Sequence, residues 1–313
     1  MERDLDISVI VASYNPDYKK LFYTLNSAIR QENIKFEIII ADDGSNNFMK
    51  ENIITYFRER NFSSYLINAL PVNKGTVINV YEAIKKARGK YIKLISPGDF
   101  LYTSNVLQQW KDYMIKYNGS LSFSDAIYYQ NIDNPEILRG RAIPQNINTN
   151  NKELIKKYLI CDDLFLGAAT LVEKNIFLKY LAALAGKVKY VEDYSYRLMI
   201  ADGVKVLYFP YPAILYEYGS GISTSQNKRW NELIRKDFNI VNKMLLEKDL
   251  SLNIQRKLKN DLITNPKKRE IIRYLNLPIL LNVLKKKFFP RYSCMEINME
   301  EFKMIKSLGD KDE

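Results

Sequence analysis

Three absences limit the chemistry open to this chain of 313 residues. It contains no histidine, two cysteines and no apolar run of about 20 residues, the length that crosses a bilayer. Without histidine, Ser-His and Cys-His catalysis and the common zinc sites are excluded, so acid–base chemistry must fall to Asp, Glu, Lys, Tyr or Cys. Cys161 and Cys294 indicate no disulfide framework, which fits a reducing compartment.

The beginning of the sequence also lacks the features of a secretory signal. Charged residues lead into a short apolar stretch, whereas a signal peptide has a basic start, a longer apolar region and a small-residue cleavage site. We therefore expect a cytoplasmic protein that spans no membrane. The hydrophobic content of 47% is sufficient to fill a core.

Positive charge is abundant and concentrated in one segment. Residues 226–291 contain 17 Lys and Arg against 6 Asp and Glu, an excess equal to the net charge of +11 of the whole chain. Within it, the mostly apolar residues 271–284 precede the lysines at 285–287, which is typical of a helix on an anionic membrane surface. Contact of residues 265–291 with the inner membrane face is one interpretation, and packing against the rest of the protein is the other. Nucleic acid is least favoured, because no binding motif accompanies the charge.

The first hundred residues alternate between strand and helix patterns. The predicted strands are Ile7–Ala12, Phe36–Ala41, Tyr65–Leu70 and Tyr91–Ile95, and the predicted helices are Asp17–Arg30, Asn46–Arg60 and Thr76–Ala87. Such alternation with short connections predicts βαβ units, a parallel sheet and an α/β fold. In these sheets ligands bind beyond the carboxyl ends of the strands, so residues at those ends are the candidates for a site.

From about residue 105 the pattern becomes weaker. The predicted elements are a strand at Leu121–Tyr129, a polar loop at 130–152, a helix from Val191 to near Gly203, a strand at Val204–Phe209, a Gly/Ser-rich loop at 216–225 and basic helices from Asn227. We expect a mostly parallel sheet flanked by helices, followed by a helical basic C-terminal region.

Two acidic turns follow predicted strands. Asp42 and Asp43 are able to accept hydrogen bonds from a ribose or a base, but Asp-Asp-Gly-Ser is also an ordinary turn with a helix N-cap. Ser96-Pro97-Gly98-Asp99 suits a type II turn, with Pro second and Gly third. Asp99 either ends this turn without further role or contacts a divalent cation that bridges phosphate oxygens.

A second acidic pair, Glu192-Asp193, stands at a predicted helix start. Acids there favour the helix dipole, which is a sufficient structural reason for them. The alternative is a general base that takes a proton from an attacking hydroxyl. The absence of histidine strengthens this alternative, because a base must then be found among other residues.

Four motifs in order give the chain a family resemblance over most of residues 6–225. They are ISVIVASYN, IIIADDGS, Asn73-Lys74-Gly75 with Gly89-Lys90-Tyr91-Ile92 after it, and VEDYSYRLMIADG. In these the chain resembles the family 2 glycosyltransferases with the GT-A fold, the nucleotide-sugar enzymes of bacterial capsule and O-antigen assembly.

The resemblance implies an inverting transfer from a nucleotide-sugar, usually a UDP-sugar, to a saccharide acceptor. It implies that Ser13, Tyr14 and Asn15 lie beside the nucleotide and that Asp42 and Asp43 bind the uridine. The other donor-binding residues that it implies are Asn73, Gly75, Ser96 and Gly98.

The resemblance also assigns the chemistry. Asp99 would meet a divalent cation, Mn²⁺ or Mg²⁺, at the diphosphate. Asp193 would be the general base, and Glu192 would support it or contact the acceptor. The family's domain would cover residues 1–225, with a donor half at 1–105 and an acceptor half at 106–225, and residues 226–313 would form the basic C-terminal region.

The chain departs from the family pattern at three places. The family often has Asp-x-Asp-Asp where this chain has residues 96–99, so Gly98 stands at the usual metal-ligand position. Val80 and Tyr81 replace a frequent Arg-Asn pair, and no histidine occurs near residues 218–223. Backbone N–H groups of that Gly/Ser-rich loop would have to meet the diphosphate instead.

These features leave three hypotheses. The leading one is a cytoplasmic, membrane-associated glycosyltransferase that extends a polyprenyl-diphosphate-linked saccharide for a surface polysaccharide. A degenerate member that binds nucleotide or saccharide without transfer is the alternative, because the metal-position acid is missing. A nucleotidyltransferase is third, but residues 13–17 lack the Gly-rich, basic loop that such an enzyme would carry.

Overall fold

The apolar runs of the first hundred residues form the parallel half of a sheet. The computed structural model describes residues 5–130, 136–140, 152–161, 166–219, 228–275, 280–281, 284 and 292–294. Strands β1 (Leu5–Ser13), β2 (Phe36–Asp42), β3 (Tyr65–Ala69) and β4 (Gly89–Ile95) alternate with helices α1 (Tyr18–Ile29), α2 (Lys50–Glu59) and α3 (Thr76–Lys86). The strands pair in the order β3–β2–β1–β4, all parallel, which confirms the predicted βαβ arrangement.

Burial on both faces explains why these strands read as continuous apolar runs. Val9, Ile10, Ile39 and Ile40 are all fully buried, so neither face of β1 or β2 meets water. Helix α1 begins at the N-cap Asp17, whose carboxylate accepts a hydrogen bond of 3.2 Å from the backbone N–H of Lys20.

Antiparallel pairs extend the sheet beyond β4. The next elements are β5 (Phe100–Leu101), α4 (Val106–Lys116), β6 (Leu121–Gln130), β7 (Glu136–Gly140), α5 (Lys152–Cys161), β8 (Thr170–Glu173), α6 (Lys174–Leu184), α7 (Ser195–Ala201) and β9 (Val206–Glu217). Strand β8 is antiparallel to both β4 and β6, and β7 is antiparallel to β6. Strand β9 lies parallel to β6 and antiparallel to β5.

The weaker second half of the sequence produced several wrong predictions. The predicted loop at 130–152 contains β7, whose backbone pairs with β6, and helices α4 and α6 were not predicted. Strand β9 continues to Glu217, although the prediction ended it at Phe209. The strand passes prolines at 210 and 212, which are accommodated where the β6–β9 register shifts at Asp125.

The C-terminal region begins with two helices that pack onto the sheet domain. Its elements are α8 (Lys228–Leu246), α9 (Leu252–Asp261), α10 (Pro266–Leu275) and β10 (Tyr292–Cys294). Val241, Leu245 and Ile254 are fully buried in one cluster with residues of α3 and α6. Packing therefore accounts for α8 and α9, although the predicted domain boundary at 225 stays a prediction.

The predicted membrane segment, 265–291, falls partly outside the described residues. Its described helix α10 exposes two large apolar side chains, Ile271 by 58% and Leu275 by 81%. In the part of the chain that the structure describes, no helix combines the length and the apolar character needed to cross a bilayer.

Candidate active site

A cleft of about 830 Å³ opens at the carboxyl ends of β1, β2 and β4. The predicted site residues in its lining are Ser13, Tyr14, Asp43, Ser96, Asp99, Glu192 and Asp193. Asn15, Asp42, Asn73, Gly75 and Gly98 are absent from the lining among the described residues. A parallel sheet gathers its strand ends at one edge, which is why residues so distant in sequence share this cleft.

Asp42 holds a turn together. Its carboxylate, 1% exposed, accepts hydrogen bonds from the backbone N–H of Ser45 at 2.8 Å and from the hydroxyls of Ser13 and Ser45. The backbone N–H of Asn15 in turn donates to the hydroxyl of Ser45 at 2.7 Å. Asp42 and Asn15 therefore connect the β1–α1 loop to the β2–α2 loop, and neither residue belongs to the described lining of the cleft.

Asp43 is placed differently, because it lines the cleft. Its carboxylate accepts hydrogen bonds from the backbone N–H groups of Lys74 at 2.7 Å and Gly75 at 2.8 Å. Burial raises the pKa of Asp43, and those two hydrogen bonds oppose the rise. At Gly75, with φ +90°, a Cβ would lie 2.6 Å from the carbonyl oxygen of Lys189, so glycine lets this loop approach the backbone before Glu192.

Residues 96–99 form the predicted turn. The backbone N–H of Asp99 donates to the carbonyl of Ser96 at 2.9 Å, and Gly98 has φ +99°, which confirms the type II prediction. Tyr129 donates its hydroxyl to the Gly98 carbonyl at 2.5 Å, and the Gly98 N–H donates to the hydroxyl of Thr24 at 3.0 Å. The turn is thus held from β6 and from α1.

Asp99 interacts electrostatically with Lys93, a fully buried lysine of β4. The Lys93 ammonium donates to the carbonyls of Ala168 and Thr170, which connects β4 to the start of β8. Burial lowers the pKa of Lys93 to about 7 and raises the pKa of Asp99 to about 7, while the charge of each favours the ionised form of the other. The backbone N–H of Ser96 donates to the Asp99 carboxylate at 3.0 Å.

Glu192 and Asp193 line the same cleft, in a short 3-10 helix, Glu192–Tyr194, that leads into α7. Burial, followed by the negative charge of Asp193, raises the pKa of Glu192. Gly167 passes so close that a Cβ there would lie 3.2 Å from the Cβ of Asp193. An acid pair with one member kept protonated is able to act as base and hydrogen-bond donor together.

A comparison of the sequence with models of protein families identifies the family of this chain. The model described as glycosyl transferase family 2 matches residues 8–175, more than half of the chain. The chain belongs to glycosyl transferase family 2. The match includes the two turns at 42–45 and 96–99 but ends before the Glu192–Asp193 pair.

Named relatives agree with the family. An uncharacterized glycosyltransferase of Methanocaldococcus jannaschii is 28% identical over 174 residues, which are 55% of this chain and 57% of that protein. An uncharacterized glycosyltransferase of Rickettsia bellii is 26% identical over 181 residues, 56% of this chain and 24% of that protein. The chain thus matches less than two thirds of the length of either relative.

Solved structures share the fold, which is of the GT-A type. S. aureus TarS 1–349 in complex with UDP-GlcNAc has a TM-score of 0.61 at 15% identity, over 97% of this chain and 91% of that one. The mannosyltransferase PcManGT from Pyrobaculum calidifontis, in complex with GDP-Man and Mn²⁺, has a TM-score of 0.57 at 9% identity, over 98% and 85%.

In this family 2 chain, the turn at 96–99 does not fit a divalent cation. Such a cation needs open oxygen ligands, but Asp99 is 6% exposed, and the carboxylate of Glu217 beside the turn is paired with Lys20. Within the described ranges, no group of three or more acids or cysteines is placed to hold a metal ion. The predicted Mn²⁺ or Mg²⁺ at Asp99 thus finds no fitting set of ligands.

Two groups of cleft residues were not predicted from the sequence. One is the Lys20–Glu217 ion pair, and the other is a wall of aromatic side chains that includes Tyr128, Tyr190 and Trp230. Trp230 meets Tyr190 edge-on at 5.2 Å between ring centroids. Of these residues, Tyr190 could have been found from the sequence, because it stands close to the acidic motif. The sequence of β6 and α8 gave no indication that Tyr128 and Trp230 reach the cleft.

Proposed function

We propose that this protein is an inverting glycosyltransferase that moves a sugar from a UDP-sugar to a saccharide acceptor. The observation that carries the proposal is the cleft itself. Asp43, the turns at the strand ends and the Glu192–Asp193 pair all line it. A nucleotide-sugar bound at the strand ends would direct its anomeric carbon toward the acid pair.

Asp193 is the general base of this proposal. The acceptor hydroxyl gives its proton to the Asp193 carboxylate while its oxygen attacks the anomeric carbon from the face opposite the diphosphate. The bond to the diphosphate breaks with its electron pair, so the configuration inverts. Glu192, whose raised pKa keeps it protonated more readily, donates a hydrogen bond to the acceptor.

The donor is bound at the strand ends. Asp43 accepts hydrogen bonds from the uracil, and Ser13 and Tyr14 lie beside the nucleotide. Tyr14 is 47% exposed, which leaves its ring available for stacking. The choice of uridine rests on the family resemblance, with S. aureus TarS in complex with UDP and UDP-GlcNAc as a fold-level parallel.

The acceptor side is aromatic. Tyr128, Tyr190 and Trp230 line the cleft, and such rings stack on the apolar faces of sugars. We propose a polyprenyl-diphosphate-linked saccharide of the capsule or O-antigen type as acceptor. The basic, partly apolar segment 265–291 would hold the enzyme at the inner face of the cytoplasmic membrane, where such a lipid is found.

A panel of UDP-sugars and GDP-mannose, each tested with a synthetic lipid-diphosphate saccharide, provides the experiment. Release of UDP that depends on the acceptor would support transfer, and NMR of the product would report the inversion. Tight binding of UDP by calorimetry with no turnover on any donor would instead favour the degenerate member that binds without transfer. Because the turn does not fit a cation, turnover is expected to persist in EDTA.

A further inference from the structure

We propose that Lys20, held by Glu217, supplies the positive charge that stabilises the departing diphosphate in place of a divalent cation. This inference rests on the proposed function and concerns the same cleft. Lys20 belongs to the first turn of α1, and Glu217 ends β9, so the pair joins residues 197 positions apart in the chain.

The cleft is rich in negative charge, so a bound diphosphate needs a positively charged group beside it. Six carboxylates occur in its described lining: Asp17, Asp43, Asp99, Glu192, Asp193 and Glu217. Its described cations are Lys20 and Arg197. Arg197 is 6% exposed, and its guanidinium donates to the carbonyl of Ile160 at 2.8 Å and stacks on the ring of Tyr194. Lys20, with 28% side-chain exposure, is therefore the better placed of the two to meet a diphosphate.

Glu217 fixes the direction of the lysine. The Lys20 ammonium lies 2.6 Å and 2.8 Å from the two carboxylate oxygens of Glu217, whose side chain is 11% exposed. An ammonium carries three N–H donors, so one remains for a phosphate oxygen after two point to Glu217. An ion pair of this kind reduces the rotamer freedom of the lysine before the donor arrives.

Gly98 makes room for this arrangement. A Cβ at Gly98 would lie 2.7 Å from Oε2 of Glu217, so an aspartate at this position would push the Glu217 carboxylate away, and the φ of +99° would strain it. The family's usual metal-ligand side chain would thus displace Glu217 from its position beside Lys20. The glycine that removes a ligand is the same residue that admits the ion pair.

The proposed step is balanced without a metal. The acceptor oxygen bonds to the anomeric carbon, the carbon–oxygen bond to the diphosphate breaks, and the proton passes to Asp193. The electron pair leaves with the diphosphate, whose growing negative charge is met by N–H donation from Lys20. Lys20 stays protonated throughout, and a donor aimed at developing charge stabilises the transition state more than the ground state.

The test compares wild type with Lys20→Met, Lys20→Arg and Lys19→Met, in EDTA and in Mn²⁺. Lys19 is an exposed neighbour on α1 outside the described lining of the cleft, so its variant controls for charge and helix context. We expect wild-type turnover to persist in EDTA and Lys20→Met to lose about 100-fold in kcat. UDP affinity of Lys20→Met should fall about tenfold, while Lys20→Arg keeps part of the activity and Lys19→Met keeps all of it.

Two further readouts separate catalysis from structure. The melting temperature of Lys20→Met sets the range in which the variant is folded, because the change takes from the largely buried Glu217 its lysine, and kcat should stay reduced within that range. Mn²⁺ should restore activity to Lys20→Met more than it changes wild type, because the Glu217 carboxylate that Lys20 engages in wild type then becomes an oxygen ligand for the cation. Two outcomes would overturn the role of Lys20 but leave the proposed glycosyltransferase function standing. One is the loss of wild-type turnover in EDTA with recovery in Mn²⁺, and the other is full activity of Lys20→Met. Failure of wild type to bind UDP or turn over any donor under either condition would overturn the proposed function as well.

Discussion

The donor wall and the acceptor wall of the cleft are built in different ways. In the donor wall the carboxylates are held by backbone N–H groups, whereas the acceptor wall is assembled from side chains of separate elements. The donor wall consists of Ser13, Tyr14, Asp43, Ser96 and Asp99, and the acceptor wall consists of Tyr128, Tyr190, Glu192, Asp193 and Trp230. Asp43 receives the N–H groups of two consecutive residues, and Asp99 receives one from its own turn. Trp230 reaches the cleft because α8 packs on the domain.

This difference has a physical consequence. Asp99 takes its main-chain donor from its own turn, and Asp43 takes two from the loop before α3, so the donor wall depends on the loops at the strand ends and not on the docking of α8. The acceptor wall depends on how α8 docks. There, the Asp237 carboxylate accepts the N–H groups of Lys189 at 2.9 Å and Tyr190 at 2.7 Å, which connects α8 to the segment before Glu192. Four variants test this contrast, from the largest expected effect to the smallest.

Asp193→Asn should give the largest loss. Removing a general base reduces the transfer rate by about 10²–10⁴-fold, while UDP binding at the donor wall should be unchanged. Rates measured at saturating donor, with calorimetry of UDP, check both parts. Asp202→Asn, an acid at the end of α7 that pairs with Lys248, is the matched control. Transfer retained by Asp193→Asn would remove the assigned base.

Asp43→Asn should act on the donor wall alone. The loss of a charged acceptor toward the uracil should weaken UDP binding by about 10- to 100-fold, with a small effect on the KM of the acceptor. Titration calorimetry with UDP measures the first and acceptor kinetics the second. Because Asp43 is buried, the melting temperature is measured as well. Unchanged UDP affinity in a folded variant would contradict the uridine role.

Trp230→Ala should act on the acceptor wall alone. The loss of a stacking ring of about 1 kcal/mol should raise the KM of the acceptor roughly fivefold and leave UDP affinity unaltered. Tyr211→Ala is the control, since Tyr211 is an exposed aromatic residue outside the described lining. An increase in the Kd for UDP instead would show that the two walls are not separate.

Glu192→Gln should give the smallest effect, a change in how stability depends on pH. Burial raises the pKa of Glu192 above its ordinary value of 4.5, so the folded state holds the proton more tightly than the unfolded state. Wild-type stability from this group is full below pH 4.5 and is lost as pH rises through the raised pKa. Glutamine cannot ionise, so the variant should gain stability relative to wild type over that range.

Denaturant unfolding at a series of pH values measures the difference. Glu51→Gln, a change of an exposed acid outside the described lining of the cleft, provides the control with which the pH dependence of Glu192→Gln is compared. If the difference in unfolding free energy between Glu192→Gln and wild type did not change with pH, Glu192 would ionise as an ordinary surface acid does.

The donor half of the fold was predictable because its signals are local. The strands β1, β2 and β4 are buried on both faces and therefore continuous in hydrophobicity, and Pro97 with Gly98 specified a turn that the structure confirms. The family match over residues 8–175 covers the same part of the chain.

The later half was harder because its elements depend on partners. Strand β7 forms through pairing with β6, and β9 passes two prolines by a register shift that no local pattern predicts. Asp42 and Asp43 show what a sequence pattern is unable to predict. They are adjacent and chemically alike, yet Asp42 supports a loop and Asp43 lines the cleft.

By itself, the sequence determined the parallel strands, the acids at their ends and the need for a base other than histidine. These follow from burial periodicity, turn chemistry and composition, which act over a few residues. Only the tertiary structure decided that Lys20 meets Glu217, that Gly98 leaves space for this pair and that Trp230 joins the cleft. Contacts between residues so far apart arise from the packing of whole elements, so no local pattern in the chain encodes them.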